Sequence, residues 1–527
     1  MRASSPSSGV ARAGAILALV CVAQFMVVLD DTIVNVALPS IRTSLGFSEG
    51  NLAWVVNAYL LMFGGFLLVG GRAADLFGRR RMFAVGLALF TTCSLICGIS
   101  SSSAMLIVAR GLQGLGGAML SPAALSILTT TFPEGPARTR ALGAWGALIG
   151  VAGASGVVLS GVITDLVSWR WVFFINVPIG LTALALSASV IPAARAKVRT
   201  HLDLSGALLA TVAMLLLVFT VVETSSEGWG SPRTLGGLGL AGALLLGFAV
   251  HERGAAEPIL PPSLARRRPT QATSIVMALA AAGLLAMFFF LTLYMQNILG
   301  FSPLHTGLSY LPFSATIILS SALTVKAMAR VPAWVLLMLG PTVGGVGLFL
   351  LSRVTASSDY AGNLLPGLIV TAAGLGLAFV PMTSIATDHI GEAAAGVASG
   401  LLTTCQQVGG AVGIAALVTI AANHTESLLK LGLDPNVALL DGFQLALRIG
   451  AALLLGAAVL VLLTRRLLAE GAAPERAPKD APERAPKEAP EHAPKEVAKT
   501  LPSTAAPQAV PAASSASYSR SGAHARA

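Results

Sequence analysis

A succession of long apolar runs, separated by short polar stretches, constrains this chain of 527 residues more than any other feature. A run of about 20 apolar residues spans the hydrocarbon core of a bilayer as one α-helix. Lipid offers no hydrogen bonds to the backbone, so each run has to satisfy its own peptide groups. The sequence therefore predicts an all-α membrane protein with fourteen transmembrane segments near 14–38, 52–70, 82–100, 104–130, 141–164, 171–191, 204–223, 235–251, 271–296, 306–325, 332–351, 364–385, 396–421 and 442–464.

The composition agrees with a chain whose main solvent is lipid. Hydrophobic residues make up 55% of the chain and charged residues only 11%, whereas soluble domains carry about 25% charged residues. The net charge of +10 comes from Lys and Arg in short loops and not from one basic face, so no nucleic-acid partner is expected. All four cysteines lie in apolar runs, which favours buried thiols, and no metal site is expected.

Basic residues alternate between rich and poor loops, which predicts the orientation in the membrane. If the N-terminus is inside, few basic residues fall in the outer loops: Arg42, Arg170, Arg233, Arg353 and Lys430. The cytoplasmic loops hold many more: Arg72, Arg79, Arg80, Arg81, Arg138, Arg140, Arg195, Lys197, Arg199, Arg253, Arg266, Arg267, Arg268, Lys326, Arg330, Arg465 and Arg466. Both termini are therefore expected in the cytoplasm.

Two carboxylates interrupt the first apolar segment. A charge at the centre of a membrane helix costs roughly 2.5–3.5 kcal/mol, so Asp30 and Asp31 call for a functional explanation. Gln24, Asp31 and Asn35 share one helical face, while Asp30 points about 100° away. If the helix ends at Pro39, Asp30 lies about 13 Å deep; the alternative places both carboxylates in water at the outer interface.

The fourth segment contains a buried cation on a stripe of small and polar residues. In RGLQGLGGAML, the positions Arg110, Gln113, Gly114 and Gly117 follow helical spacing on one face. An arginine within the membrane needs a counter-charge or a wet cavity. The alternative is an arginine that extends to the outer surface.

The fifth segment carries a stripe of small residues, a pattern that lets membrane helices pack closely or slide. The stripe consists of Gly146, Gly150, Gly153, Val157, Ser160 and Gly161.

The loop GRAADLFGRRRMF, residues 71–83, has more features than a topological signal requires. Gly71 and Gly78 are expected to permit a tight turn. Asp75 adds an acidic group beside the basic Arg79 and Arg80, which suggests a gating loop that pairs with neighbouring helix ends.

These blocks resemble a known family. GRAADLFGRRR resembles the signature loop of the major facilitator superfamily, and LDDTIVNVALP, RGLQGLGG and the glycine stripe resemble its drug:proton antiporter branch with fourteen helices. Further similar blocks are WVVNAYLL (54–61), SWRWVFFINVPIG (168–180), LYMQNILGFSPLHTGLSYLP (293–312) and SGLLTTCQQVGGAVG (399–413). The chain departs from the family where Val157 replaces a proline and Ser160 a glycine.

The resemblance implies a major facilitator fold with two six-helix bundles, at 14–191 and 271–464, joined by a central helix pair at 204–251. Residues 1–13 and 465–527 would be cytoplasmic extensions. It also implies that Asp30 and Arg110 serve proton coupling, with Asp31 at a variable position, and that Asp75 and Arg79 serve gating. The residues themselves place Asp31 in the coupling site as well, because two adjacent carboxylates in a membrane segment are expected to titrate as one unit. A substrate cavity between the bundles is expected to include Gln24, Asn35, Gln113, Tyr294, Gln296 and Gln406.

The expected function is proton-driven efflux of amphipathic drug- or antibiotic-like molecules by alternating access. The protein would work as a monomer in the inner (plasma) membrane, with a proton gradient and no cofactor. No Lys follows a Gly, so there is no Walker A loop and no ATP hydrolysis by that route is expected. The sequence shows no catalytic constellation, so no enzyme is expected. The alternatives are a proton-coupled symporter or facilitator for a metabolite, which Val157 keeps open, and, more remotely, a membrane-embedded sensor or enzyme.

Composition changes after Glu470, where residues 473–496 read APERAPKD, APERAPKE, APEHAPKE. Two prolines per repeat prevent a regular helix, and the segment lacks the apolar residues to form a core. We therefore expect truncation after Gly471 to leave export unchanged, measured as transport per molecule of protein in the membrane. A large loss at equal protein level would instead reveal a docking role for the tail.

Overall fold

The computed structural model describes residues 6–132, 135–192, 203–255, 258–259, 262–388 and 392–470. Regular structure in these ranges is helical throughout, without a strand. The repeat at 473–496 lies outside the described residues, so its predicted extended character stays a prediction.

Eighteen helices follow one another along the described chain. The first group is α1 Pro6–Leu45, α2 Glu49–Leu52, α3 Trp54–Phe77, α4 Arg79–Gly98, α5 Ser103–Thr131, α6 Pro136–Leu166, α7 Trp171–Phe174 and α8 Asn176–Val190. A central pair follows, α9 Leu204–Glu227 and α10 Pro232–Gly254. The second group is α11 Pro262–Ala265, α12 Arg268–Leu293, α13 Pro303–Ser309, α14 Leu311–Ala327, α15 Ala333–Leu351, α16 Leu365–Thr387, α17 Glu392–Lys430 and α18 Pro435–Glu470. Single π-helical turns at Tyr294–Ile298 and Tyr360–Leu364 extend α12 and precede α16.

Thirteen spans in the described ranges are long and apolar enough to cross a bilayer, and each coincides with a predicted segment. The remaining predicted segment, 204–223, corresponds to α9, whose apolar part Leu208–Thr224 is shorter. The predicted all-α membrane fold is confirmed.

The first span is longer than the sequence suggested. α1 continues through Pro39 to Leu45, so the expectation that it ends at the proline was wrong. Proline removes one backbone donor, but packed membrane helices tolerate it because neighbouring groups and small backbone adjustments compensate. Asp30 consequently lies fifteen residues, about 22 Å, from the end of its helix.

Helices pack mainly within the two groups. In the first group α5 lies against α3 and α4, and α1 lies against α5, α6 and α8. In the second group α15 packs on α16 and α18, while α12 packs on α17 and α18. The exact domain boundaries proposed from the sequence stay a prediction.

The central pair touches both groups through α9. Trp54 of α3 and Phe219 of α9 bring their ring centroids to 6.5 Å. On the other side, the Thr419 hydroxyl of α17 donates to the Val221 carbonyl of α9 at 3.2 Å. α10 packs against α9, so α9 is the helix that links the pair to the rest of the fold.

Asp203 joins the ends of α9 and α10. Its Oδ1 accepts from the Gly206 amide at 2.9 Å, which caps α9, and lies 2.7 Å from Nε2 of His251 on α10. Partial burial raises the pKa of the Asp203 carboxyl, but the bonds from Gly206, His251 and Ser205 outweigh it, so the net shift is downward. The carboxylate thus stays charged at neutral pH and holds the pair together.

The packing of the second group can be tested where the backbones of α15 and α16 approach each other closely. A Cβ on Gly374 of α16 would collide with the Gly344 amide and the Gly340 carbonyl of α15. We expect Gly374→Ala to lower the melting temperature of the detergent-solubilised protein, with a cost of about 1–3 kcal/mol for forcing a methyl group into a filled space. Gly242→Ala on α10 is the matched control, since a Cβ there meets nothing within 4 Å; equal melting temperatures for the two variants would contradict the packing.

Candidate functional site

Asp30 lies at the centre of the first group and is 0% exposed. Its Oδ2 accepts from Nη1 of Arg110 on α5 at 2.5 Å. Its Oδ1 accepts from Nε2 of Gln113 on α5 at 2.8 Å and from Nδ2 of Asn176 on α8 at 2.9 Å. Three helices therefore meet at one carboxylate, which lies in the protein interior and not in water at the interface.

Arg110 is held as firmly as its partner and is 1% exposed. Its Nε donates to the Val55 carbonyl of α3 at 3.0 Å, and its Nη1 also reaches Oε1 of Gln113 at 2.9 Å. The guanidinium carbon lies 4.4 Å from the ring centroid of Tyr59, a cation–π distance. The alternative of an arginine that extends to the surface does not hold in this structure, because the counter-charge is within the bundle.

Two polar neighbours of this centre were missed in the sequence. Nδ2 of Asn176 also donates to Oγ of Ser94 on α4 at 3.1 Å, and Ser94 donates to the Phe173 carbonyl at 2.9 Å. Asn176 lies in the motif SWRWVFFINVPIG, where an amide within an apolar stretch was the available signal. A spacing pattern could not reveal it, since it is the only polar residue on its turn of α8.

Asp31 does not share this arrangement. Its side chain is half-buried, and within the described part of the chain its carboxylate makes no hydrogen bond or ion pair. Helical geometry turns the two adjacent aspartates about 100° apart, and only Asp30 contacts Arg110; their titration as one unit stays a prediction. A role for Asp31 in coupling stays a prediction.

The expected cavity residues on the first group extend the polar contact between α1 and α5. Gln24 lies about two turns before Asp30, and its Oε1 accepts from the Ser121 hydroxyl of α5 at 2.8 Å. Gln113 belongs to the charged centre itself. Asn35 bonds to the Asp31 carbonyl of its own helix at 3.3 Å.

The expected cavity residues on the second group are dispersed. Nε2 of Gln296 donates to the Val36 carbonyl of α1 at 2.9 Å and so joins the two groups. Tyr294 is fully buried and donates to the Thr355 carbonyl at 2.6 Å, within the second group. Gln406 is half-buried on α17. Their role in substrate binding stays a prediction.

Among the described residues, the glycine stripe of α6 is close-packed at its Gly161 end. A Cβ on Gly161 would lie 2.5 Å from the Pro303 carbonyl of α13, so the two groups meet backbone to backbone there. At Gly146 and Gly153 a Cβ would meet nothing within 4 Å, so the expected close packing of the whole stripe was wrong for these two residues. The surroundings of Gly150 lie outside the described residues, and Gly156, beside the stripe, faces Thr32 of α1 instead.

The gating loop is shorter than predicted. Gly78 separates α3 from α4 with φ +94°, a left-handed conformation that glycine adopts without strain. Gly71 lies inside α3, so the expectation that it forms part of the turn was wrong: the helix simply continues to Phe77. Arg79 and Arg80 open α4, and the Asp75 side chain lies outside the described residues.

Taken together, the helices and the buried charge define a polytopic membrane protein whose charged centre is enclosed by one helical group. The chain belongs to the Major Facilitator Superfamily, whose family model matches residues 20–414. Members of this family are transporters.

Named relatives agree with this membership. The cephamycin export protein CmcT of Amycolatopsis lactamdurans is 44% identical over 415 residues, which cover 78% of this chain and 85% of that protein. The puromycin resistance protein pur8 of Streptomyces alboniger is 37% identical over 84% of this chain and 90% of its own length. The same fold occurs in the crystal structure of a bacterial homologue of the human lysosomal transporter Spinster, in an inward-facing conformation, with a TM-score of 0.62, 14% identity, and coverage of 89% and 99%.

The ion pair of Asp30 and Arg110 can be tested through the thermal stability of variants. Arg110→Gln would leave a buried carboxylate without its counter-charge, and breaking such a pair costs about 3–5 kcal/mol. We expect this variant to melt at a clearly lower temperature in detergent, and the double variant Asp30→Asn, Arg110→Gln to recover most of the loss. Acidification should reduce the deficit of the single variant because protonation removes the unpaired charge. A double variant no more stable than Arg110→Gln would contradict the pairing.

Proposed function

We propose that this chain is a proton-driven exporter of amphipathic, antibiotic-like small molecules that works by alternating access. The observation that carries the proposal is the fully buried ion pair of Asp30 and Arg110, a titratable group paired with a cation inside a membrane helix bundle. The names of the relatives, which refer to cephamycin export and puromycin resistance, support antibiotic-like substrates.

Protonation of Asp30 couples to movement through this ion pair. While Asp30 is ionised, it holds Arg110, and thereby α1 to α5. A proton on the carboxylate cancels the attraction and leaves the guanidinium charge buried without a counter-charge, which is costly. The bundle then has to admit water, or a substrate group, to Arg110, and proton loading favours a different arrangement of α1 and α5.

Two contacts join the two groups on the side that the basic loops predict to be external. Gly161 near the end of α6 packs against α13, and Gln296 bonds to α1 beyond Asp30. Both contacts lie on the same side of the charged centre.

The remaining assignments follow from the same proposal. The protein would reside in the plasma membrane as a monomer with both termini in the cytoplasm. It would use a proton gradient and no cofactor, with a small molecule as its substrate, no nucleic-acid partner and no enzymatic activity.

A proton-coupled symporter or facilitator is the second candidate, because Val157 replaces the proline of the antiporter motif. The described packing gives it limited support: the Val157 carbonyl still lies against Gly307 of α13, at 2.7 Å from where a Cβ on that glycine would be. The close contact of the stripe is therefore kept without the proline. The direction of proton movement during substrate movement separates the two candidates.

The test uses Asp30→Asn, which keeps size and hydrogen bonding but cannot carry a proton. We expect it to abolish proton-driven uptake of radiolabelled puromycin or cephamycin into everted vesicles, at normal protein level. Asp31→Asn is the matched control, one residue away and outside the ion pair, and should have a milder effect. Uptake at the normal rate in the Asp30→Asn, Asp31→Asn double variant would overturn proton coupling through these aspartates. Proton influx together with substrate influx would favour the symporter.

A further inference from the structure

The side-chain amide of Asn176 makes hydrogen bonds through its nitrogen and, in the described part of the chain, none through its oxygen. Both hydrogens of Nδ2 are engaged, one by Asp30 Oδ1 at 2.9 Å and one by Ser94 Oγ at 3.1 Å. Ser94 is fixed as an acceptor because its own hydrogen goes to the Phe173 carbonyl. Two acceptors at one end assign the nitrogen to that end. The carbonyl Oδ1 of Asn176 is buried and has no hydrogen-bond partner in the described part of the chain.

The second amide at the carboxylate, that of Gln113, makes hydrogen bonds at both of its ends. Its Nε2 donates to Asp30, while its Oε1 accepts from Arg110 at 2.9 Å and lies 3.7 Å from the Cys97 thiol. A buried carbonyl without a partner is energetically unfavourable, and such groups call for an explanation. Both amides donate to Oδ1 of Asp30, but only Gln113 also has a partner for its oxygen. This difference points to a function for the unbonded oxygen of Asn176.

We propose that Asn176 is a positioning residue that holds Asp30 in both of its protonation states by reversing its amide. Ionised Asp30 needs donors and receives one from Nδ2. Protonated Asp30 carries a hydroxyl and needs an acceptor, which Gln113 cannot easily provide while Arg110 occupies its oxygen. Rotation of the Asn176 amide by 180° presents Oδ1 to the new hydroxyl, and the Ser94 hydroxyl can turn to donate to the same oxygen.

The inference rests on the proposed proton coupling at Asp30 and adds no chemical step to it. The O–H bond forms on Asp30 with a proton from water, no bond in Asn176 breaks, and the amide stays neutral. The charged or titratable groups around Asp30 are Arg110 on α5, Tyr59 on α3, Cys97 on α4 and Asp31 on its own helix. Asn176, on α8, is uncharged, so it can stay in place when Arg110 withdraws.

The first measurement is infrared difference spectroscopy of the purified full-length protein between neutral and acidic pH. The carbonyl band of protonated Asp30 is identified by its loss in Asp30→Asn. We expect Asn176→Leu, which has similar volume and no polar atom, to shift this band to higher wavenumber, because the neutral carboxyl loses a hydrogen-bond partner. Asn176→Ser, which keeps a group that can donate and accept, should move the band less. Ser187→Ala is the matched control, a buried polar residue of α8 bonded to its own helix, and should leave the band unchanged.

The second measurement is proton-driven puromycin uptake into everted vesicles across a series of pH values. We expect Asn176→Leu to reduce uptake about tenfold, the scale of one charge-assisted hydrogen bond, and to alter its pH profile, whereas Ser187→Ala should match the original protein. An unshifted Asp30 band and an unchanged pH profile in Asn176→Leu would overturn the inference. If that variant does not fold, Asn176→Ala takes its place and is compared with Asn176→Ser; equal band positions and equal pH profiles in these two variants and the original protein would overturn the inference. Normal proton-driven uptake in Asp30→Asn would instead overturn the proposed function itself, so the two failures are distinct.

Discussion

The buried ion pair between Asp30 and Arg110 is the interaction on which the rest of the first helical group depends. Either charge alone would be strongly unfavourable in a membrane bundle, because a buried charge loses its hydration and lipid supplies no counter-charge. The pair is tolerated because Gln113 and Asn176 fill the remaining acceptor positions of the carboxylate and the Val55 carbonyl and Tyr59 ring accept the guanidinium. The polar side chains of four helices are thus fixed by a single electrostatic requirement.

Backbone spacing makes that requirement attainable. A Cβ on Gly114 would collide with the Tyr59 carbonyl, and one on Gly116 would lie 2.6 Å from the Phe90 amide. The glycines of RGLQGLGG therefore let α5 approach α3 and α4 closely, which brings Arg110 within reach of the Val55 carbonyl. In this segment, small residues fix the position of a charge as well as the packing of helices.

The sequence predicted the membrane segments and the need of Arg110 for a counter-charge, because both follow from the cost of transferring polar groups into lipid. It did not predict that Pro39 lies inside α1, since tertiary packing decides whether a proline ends a helix. Periodicity identified the stripe at Gly146, Gly153 and Gly161 but not which of them meets another helix, because a helical face has no partner until the fold is known. Asn176 was not predicted for the same reason: its importance lies in a contact with Asp30 of α1, 146 positions earlier.

The position of α9 constrains how the two groups can move. α9 packs on α3 of the first group, where a Cβ on Gly65 would meet the Thr211 side chain at 2.8 Å, and on α17 of the second group, where Thr419 bonds to Val221. If the groups rock against each other, α9 cannot keep both contacts and has to follow one of them. The hydrogen bond ties it to α17, whereas the contact with α3 includes a glycine surface and an aromatic pair. Steric contacts of that kind shear more easily than a buried hydrogen bond breaks, so the central pair is expected to travel with the second group and to slide along α3.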